Sequence, residues 1–130
     1  MMSLQLNPQQ TVPTINDNGF ALSESRAILP YLVEKYAKDD SLYPKDAKKR
    51  AVINQRLLFD IGSLYQGIAD YYYPVFYTGK FGEPAKLEKL QGAYKVLDTY
   101  LDGQPWVAGK DVSIADYSVA VSVATAEVRK

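Results

Sequence analysis

Three consecutive polar residues, Glu24, Ser25 and Arg26, have the types and spacing to bind a charged ligand. They stand where a strand-like apolar run gives way to a helical pattern, so they occupy the first turn of a predicted helix. The first N–H groups of a helix lack internal partners and attract anions. The triplet therefore suits a ligand end with both charges, such as an α-amino acid. The alternative is helix capping, with Ser23 or Ser25 as the cap and Glu24 on the helix dipole, and spacing alone favours it.

The backbone at Val12 and Pro13 is a second candidate. A trans bond is the expectation, because only about 5–6% of X–Pro bonds in folded proteins are cis. A cis bond would turn the Val12 N–H and C=O outward, where they could pair with an extended peptide as an added strand. The residues alone leave both possibilities open.

Aromatic side chains concentrate between positions 65 and 77. Tyrosines of this kind bury a large area and keep a polar tip, so they suit the wall of an apolar ligand pocket or the packing of helices and an interface. The members of this group are Tyr65, Tyr71, Tyr72, Tyr73, Phe76 and Tyr77. Both interpretations remain open.

Two further pairs of polar residues have helical spacing. Arg56 and Asp60 lie four apart, which predicts an i,i+4 ion pair or a role at an interface. Ser113 and Asp116 are spaced as a capping box, which predicts the start of a helix that runs to about Val128.

One hairpin and one helix must position the first two candidates. Strands at 11–15 and 20–22 flank Asn18-Gly19, a strong hairpin signal. A helix follows from residues 23–25, and Pro30 inside it should kink it. Its predicted buried face is made of apolar residues at helical spacing: Ile28, Leu29, Leu32, Val33 and Tyr36.

The remainder reads as helical after a charged stretch at 37–49. A long helix is predicted to run to about Tyr73-Pro74, a second to begin at Pro84 and stop at Gly103, and a third to begin at Ser113. Residues 115–126 are mostly Ala, Val and Ser, which predicts burial on most sides of that last helix.

Composition excludes several classes of function. The chain has 130 residues, no cysteine, no histidine and a formal net charge of zero. A thiolate nucleophile, an imidazole-based zinc site and a Ser-His-Asp mechanism are therefore excluded, and neutrality argues against nucleic acid or an anionic membrane as partner. No signal peptide or membrane-spanning run is visible, so a cytoplasmic location is the expectation.

In combination, these motifs resemble the insect delta-class cytosolic glutathione transferases. The resemblance extends from about Leu6 to Val128 and rests on segments in a fixed order: 7–14, 17–20, 24–28, 31–36, 41–44, 52–57, 71–74 and 113–116. It implies a mostly α protein of an α+β family fold, with a partial thioredoxin-like domain (one hairpin and helix) at 1–38, a linker at 39–46 and an incomplete all-helical domain at 47–130.

The resemblance also implies roles. Val12, ahead of a cis Pro13, would bond the cysteinyl part of glutathione, Glu24 and Ser25 would hold its γ-glutamyl end, and Arg26 would support them. A further set would serve the electrophile pocket and the charge network at the dimer interface: Tyr65, Ile68, Tyr73 and Tyr77 for the pocket, and Arg56 and Asp60 for the network. Glutathione would be the co-substrate, with no metal, and the second substrate would be a small apolar electrophile.

Several positions depart from the family pattern. Relatives carry a strand, a helix and a strand ahead of this region, with the catalytic serine after the first strand, and further helices beyond its end; no residue here matches that serine. Gln10 stands where relatives have a histidine that contacts the glycyl carboxylate, Ser23 replaces a tryptophan, and Pro30 is unusual. Two functions are therefore expected: a transferase if complete, or a truncated, non-catalytic glutathione-binding or dimerisation module that forms a homodimer or pairs with a full-length relative.

Overall fold

The computed structural model describes residues 6–127 and consists of one two-stranded sheet followed by helices. Strand β1 spans Thr14–Asp17 and strand β2 spans Phe20–Ser23, in antiparallel register from Thr14 opposite Ser23 to Asp17 opposite Phe20. The Asn18-Gly19 turn is confirmed, and both of its residues have positive φ, 52° and 97°. The first strand begins three residues later than predicted, because 11–13 belong to the loop before it.

Helix α1 spans Ser25–Tyr36 and continues through Pro30. The predicted face is right for Ile28, which is buried, and wrong for Leu32 and Tyr36, which are 39% and 58% exposed. Tyr36 lies on the outer side because its hydroxyl donates to the Asp17 carboxylate on the hairpin.

A polar cluster ties the hairpin to α1. The Asp17 carboxylate accepts from Lys35 Nζ at 2.8 Å and from the hydroxyls of Tyr31 and Tyr36. These donors hold the pKa of Asp17 well below its usual value, Lys35 foremost, and the same contact raises the pKa of Lys35. The hairpin therefore has a fixed position on the helix that carries the Glu24–Arg26 triplet.

The predicted long helix is interrupted. Helix α2 spans Ala47–Phe59, a π-helical segment covers Asp60–Leu64, and α3 spans Tyr65–Tyr72. In the π segment the Tyr65 N–H donates to the Asp60 carbonyl, five residues back. A single turn of this kind interrupts the α-helical hydrogen bonding. Apolar residues before and after it are still buried in the same core: Ile53, Leu57, Leu64 and Ile68.

Three more helices complete the described chain: α4 at Pro74–Thr78, α5 at Pro84–Leu101 and α6 at Ile114–Glu127. The predicted end near Val128 lies just outside the described residues. The capping box is confirmed, since the Ser113 N–H donates to the Asp116 carboxylate at 2.8 Å and the Ala115 N–H donates to the Ser113 hydroxyl.

The core lies between α2, the π segment, α3, α5 and α6. Its most buried members are Leu64, Ile68, Leu90, Ile114 and Ala115. Burial of α6 on most sides is wrong: Tyr117 and Val121 are 54% and 69% exposed, because no described element covers that face. Within residues 6–127, no helix combines the length and apolar content that crossing a membrane requires.

Candidate functional site

The site begins at the N-terminus of α1. Glu24 precedes the helix with φ at 71°, in the left-handed region that non-glycine residues rarely adopt, and its carbonyl accepts from the N–H groups of Ala27 and Ile28. No side chain makes a capping hydrogen bond at this end, so capping by Ser23 or Ser25 is wrong, whereas Glu24 does lie at the positive end of the helix dipole. The exposed Glu24 carboxylate and the first N–H groups are left available to a ligand.

Arg26 orients the Ser25 hydroxyl. Its Nη1 donates to Ser25 Oγ at 3.0 Å, while its Nε and Nη2 donate to Asp60 Oδ2 at 3.0 and 2.7 Å. The Ser25 oxygen accepts from the guanidinium, so its proton is left free to donate to an anion. The arrangement places a hydroxyl donor, a carboxylate and a helix N-terminus side by side, which is the chemistry that an α-amino acid group requires.

The network behind Arg26 is buried. Asp60 opens the π segment with its side chain fully buried, and its Oδ2 also accepts from the Ser118 hydroxyl on α6. A second α6 hydroxyl, that of Ser122, accepts from Arg26 Nη2 at 3.2 Å. Sequence reasoning missed Ser118 and Ser122. Their only sequence signal is the spacing of two serines four residues apart on an apolar helix. That spacing does not indicate which charged side chains they contact.

The loop before β1 carries the second half of the candidate site. Gln10 has φ at 54° and is exposed, and the Val12 side chain is 88% exposed. The Val12–Pro13 bond is cis, so the trans bond expected from base rates is wrong and the cis bond implied by the family resemblance is confirmed. Pro13 shares a groove of about 280 Å³ with Ser25 and Arg26, so the structure brings the end of the loop together with two members of the α1 triplet. Gln10, Val12 and Glu24 do not line that groove.

The tyrosine group divides into several environments. The Tyr65 and Tyr73 hydroxyls are 2.9 Å apart, and the Arg26 guanidinium carbon lies 5.2 Å from the centre of the Tyr65 ring, which joins this pair to the charged network. Tyr77 is 88% exposed. Ile68 is fully buried in the core, so it does not line an open pocket here, and that expectation is corrected.

Other aromatic side chains of the group pack on one another. Tyr71 stacks on Phe81 with ring centres 5.3 Å apart, and Tyr72 meets both rings edge-on. These three contacts are ordinary helix and loop packing. They agree with the packing interpretation of this part of the group.

Arg56 and Asp60 do not form the predicted i,i+4 ion pair. The Arg56 guanidinium carbon lies 3.4 Å from the centre of the Tyr100 ring, and its Nε donates to the Val107 carbonyl at 2.7 Å. Asp60 instead pairs with Arg26 from α1. The described residues contain no group of three acidic, histidine or cysteine side chains placed to hold a metal ion.

Known sequences and structures match this chain closely. The sequence profile of the glutathione S-transferase N-terminal domain matches residues 2–40. Glutathione S-transferase D6 of Drosophila melanogaster is 54% identical over 125 residues, which are 96% of this chain and 58% of that protein. Over the region that it spans, the chain is similar to the insect delta-class glutathione transferases.

Solved structures agree with that family in fold. A glutathione transferase of Bombyx mori superposes with a TM-score of 0.92 at 47% identity, covering 95% of this chain and 57% of that one. A delta-class glutathione transferase of Nilaparvata lugens gives 0.90 at 52% identity, covering 95% and 58%. The chain therefore spans somewhat more than half the length of the transferases that it matches. Its hairpin and α1 are part of a thioredoxin-like domain, and α2 to α6 are part of the helical one.

Proposed function

We propose that this chain binds glutathione, and that the protein to which it corresponds conjugates the glutathione thiol to small apolar electrophiles. The observation that carries the proposal is the uncapped N-terminus of α1. There Arg26 leaves the Ser25 hydroxyl as a donor beside the exposed Glu24 carboxylate. A γ-glutamyl end has the matching charges, since its α-carboxylate accepts hydrogen bonds and its ammonium pairs with a carboxylate.

The loop before β1 would supply the remaining contacts with glutathione. The Val12 backbone would bond the cysteinyl part of glutathione, and Gln10 would donate a hydrogen bond to the glycyl carboxylate. Gln10 is neutral, so that contact lacks the charge assistance that a protonated histidine provides. Arg26 and Asp60 would act one step away from the ligand, by holding Ser25 and the start of α1 in place.

For the conjugation step we assign no catalytic residue within the chain. In the family, a serine hydroxyl donates to the glutathione sulfur, which favours the thiolate over the thiol. The thiolate then forms a bond to the electrophilic carbon, and a leaving group such as chloride departs with its electron pair. Tyr65, Tyr73 and Tyr77 are the residues that we propose for contact with the electrophile.

A second candidate function is a non-catalytic module that binds glutathione or a protein partner. The observation in its favour is the set of large apolar side chains left open on the surface: Leu58 at 70% exposed, Val121 at 69% and Tyr117 at 54%. Such surface suits a subunit interface, so we propose a homodimer or a pairing with a longer relative. Domain limits at 1–38, 39–46 and 47–130 and a cytoplasmic location belong to the same proposal.

Three measurements separate these functions. Retention on immobilised glutathione, with elution by free glutathione, is expected of a binder and is not expected of a dimerisation module. Conjugation of 1-chloro-2,4-dinitrobenzene above the uncatalysed rate would identify an enzyme. Sedimentation would show the dimer. A chain that passes through the glutathione resin would refute the proposed function.

A further inference from the structure

We propose that Asn7 is a positioning residue of the glutathione site, which sets the direction of the Val12 N–H; the proposal rests on the glutathione binding proposed above. Asn7 is only 1% exposed, although it lies in a loop whose other residues are open to solvent. A buried amide side chain in an exposed loop requires a full set of hydrogen bonds to hold its place. Asn7 has such a set, and every bond stays within residues 7–14.

The bonds of Asn7 close the loop on itself. Its Nδ2 donates to the Thr11 carbonyl at 3.1 Å, to Thr11 Oγ1 at 3.2 Å and to Thr14 Oγ1 at 2.9 Å. Its Oδ1 accepts from the Gln9 N–H at 2.9 Å, and its carbonyl accepts from the Gln10 N–H at 3.0 Å. The side chain therefore joins Gln9, Thr11 and the first residue of β1, while the backbone carbonyl of the same residue closes the turn at Gln10.

The Thr11 carbonyl links the Asn7 side chain to the proposed ligand site. It accepts from Asn7 Nδ2 and also from Thr14 Oγ1, at 3.1 and 2.9 Å, so it is held by two donors. The Thr11 carbonyl and the Val12 N–H belong to one planar peptide unit, and in a trans unit they point in opposite directions. Two donors that fix the carbonyl therefore fix the N–H as well, and aim it away from Asn7 and Thr14.

The Val12 N–H is free to serve a ligand. No hydrogen bond to it occurs among residues 6–127, and the side chain beside it is 88% exposed. Without Asn7, the peptide unit would lose one of its two anchors, and an exposed unit of this kind would then sample other orientations. The ligand would have to order it on binding, which lowers affinity although no contact atom has been removed.

The test uses the whole chain and two routes to the same carbonyl. Asn7→Ala removes one anchor, and Thr14→Val removes the other while keeping the shape of the side chain; Thr14→Ser keeps the hydroxyl and should restore wild-type behaviour. Asn16→Ala is the matched control, because Asn16 makes an equivalent bond to the Gly19 N–H in the hairpin turn, away from the loop. Circular dichroism would establish that each variant is folded.

The readouts are glutathione affinity by titration and the amide signals of Val12 and Ser25 by NMR. We expect Asn7→Ala and Thr14→Val to weaken affinity about tenfold, equivalent to about 1.4 kcal/mol. Glutathione should then shift the Ser25 signal as in the wild type and the Val12 signal much less. Affinity within twofold of wild type in both variants, or an unchanged response at Val12, would overturn the proposal.

A second readout in the free protein separates this proposal from the proposed function. Backbone order parameters at residues 9–12 should fall from about 0.85 to below about 0.6 in Asn7→Ala and stay unchanged in Asn16→Ala. If the wild type does not bind glutathione, the proposed function fails, and order parameters alone decide whether Asn7 fixes this loop. Wild-type order in both Asn7→Ala and Thr14→Val would contradict the positioning role whatever the ligand.

Discussion

Removing Arg26 should destabilise this protein far more than removing an exposed cation. Asp60 is fully buried and its Oδ2 accepts three hydrogen bonds, two from Arg26 and one from Ser118. Its Oδ1 has no hydrogen-bond partner among the described residues, so Arg26 supplies most of the compensation that this carboxylate receives. Breaking a buried ion pair by removing one partner costs about 3–5 kcal/mol, because an uncompensated charge stays behind. We therefore expect Arg26→Met to lower the free energy of unfolding by about that amount.

A double substitution and a surface pair provide the controls. Arg26→Met combined with Asp60→Leu removes both charges and should recover most of the loss, since apolar replacement of a buried pair is often neutral. Lys86 and Asp70 form a pair of nearly the same length, 2.8 Å against 2.7 Å, whose side chains are 41% and 31% exposed. Lys86→Met should cost no more than about 1 kcal/mol.

Urea unfolding followed by far-ultraviolet circular dichroism would measure all three variants. If Arg26→Met alone does not fold, the double variant should fold again, which keeps the comparison decisive. A cost for Arg26→Met equal to that for Lys86→Met, or a double variant less stable than Arg26→Met, would refute the reasoning about the buried charge.

Two other predictions concern the hairpin and the helices. The pKa of Asp17 is held low in the folded chain, so its contact with Lys35 stabilises the protein above about pH 4, and this stabilisation is lost as the pH falls below that. The difference in unfolding free energy between wild type and Asp17→Asn, measured by urea unfolding, should therefore shrink below about pH 4. A difference that grows there would contradict this prediction. A Cβ on Gly82 would lie 2.6 Å from the Asp70 carbonyl, whereas one on Gly92, inside α5, would meet nothing within 4 Å. Gly82→Ala should therefore cost about 1–3 kcal/mol and Gly92→Ala should stabilise by about 0.5–1 kcal/mol, and melting temperatures that rank the two the other way would contradict the geometry.

The hairpin, the helices and the capping box could be predicted because their signals are local. Asn18-Gly19 fixes a turn by its own conformational preference, and Ser113 with Asp116 closes a cap within four residues. The π segment at Asp60–Leu64 has no comparable signal. It interrupts a helix whose apolar spacing looks continuous, so the long helix was predicted as one element.

The partners of the charged groups could not be predicted from spacing. Arg56 and Asp60 are correctly spaced for a pair, yet the contact that Asp60 makes comes from Arg26, 34 residues earlier, and from Ser118, 58 residues later. Burial decides which partners Asp60 has, because a fully buried carboxylate requires donors from several elements. Arg56 instead contacts the Tyr100 ring and the Val107 carbonyl. The α1 triplet was singled out by its residue types, but no sequence pattern shows the φ of Glu24 or the lack of a side-chain cap at this helix end.

Ser25, with Arg26 behind it, is the residue that we propose to hold the γ-glutamyl end of glutathione. Isothermal titration of the chain with glutathione, repeated for Ser25→Ala, tests this role. Ser63→Ala on the exposed side of the π segment is the matched control. We predict binding by the wild type and by Ser63→Ala, and an affinity lower by about 1–3 kcal/mol in Ser25→Ala, because a ligand carboxylate is left without its donor. Equal affinity in Ser25→Ala and the wild type, or no heat of binding in any of the three, would contradict the claim.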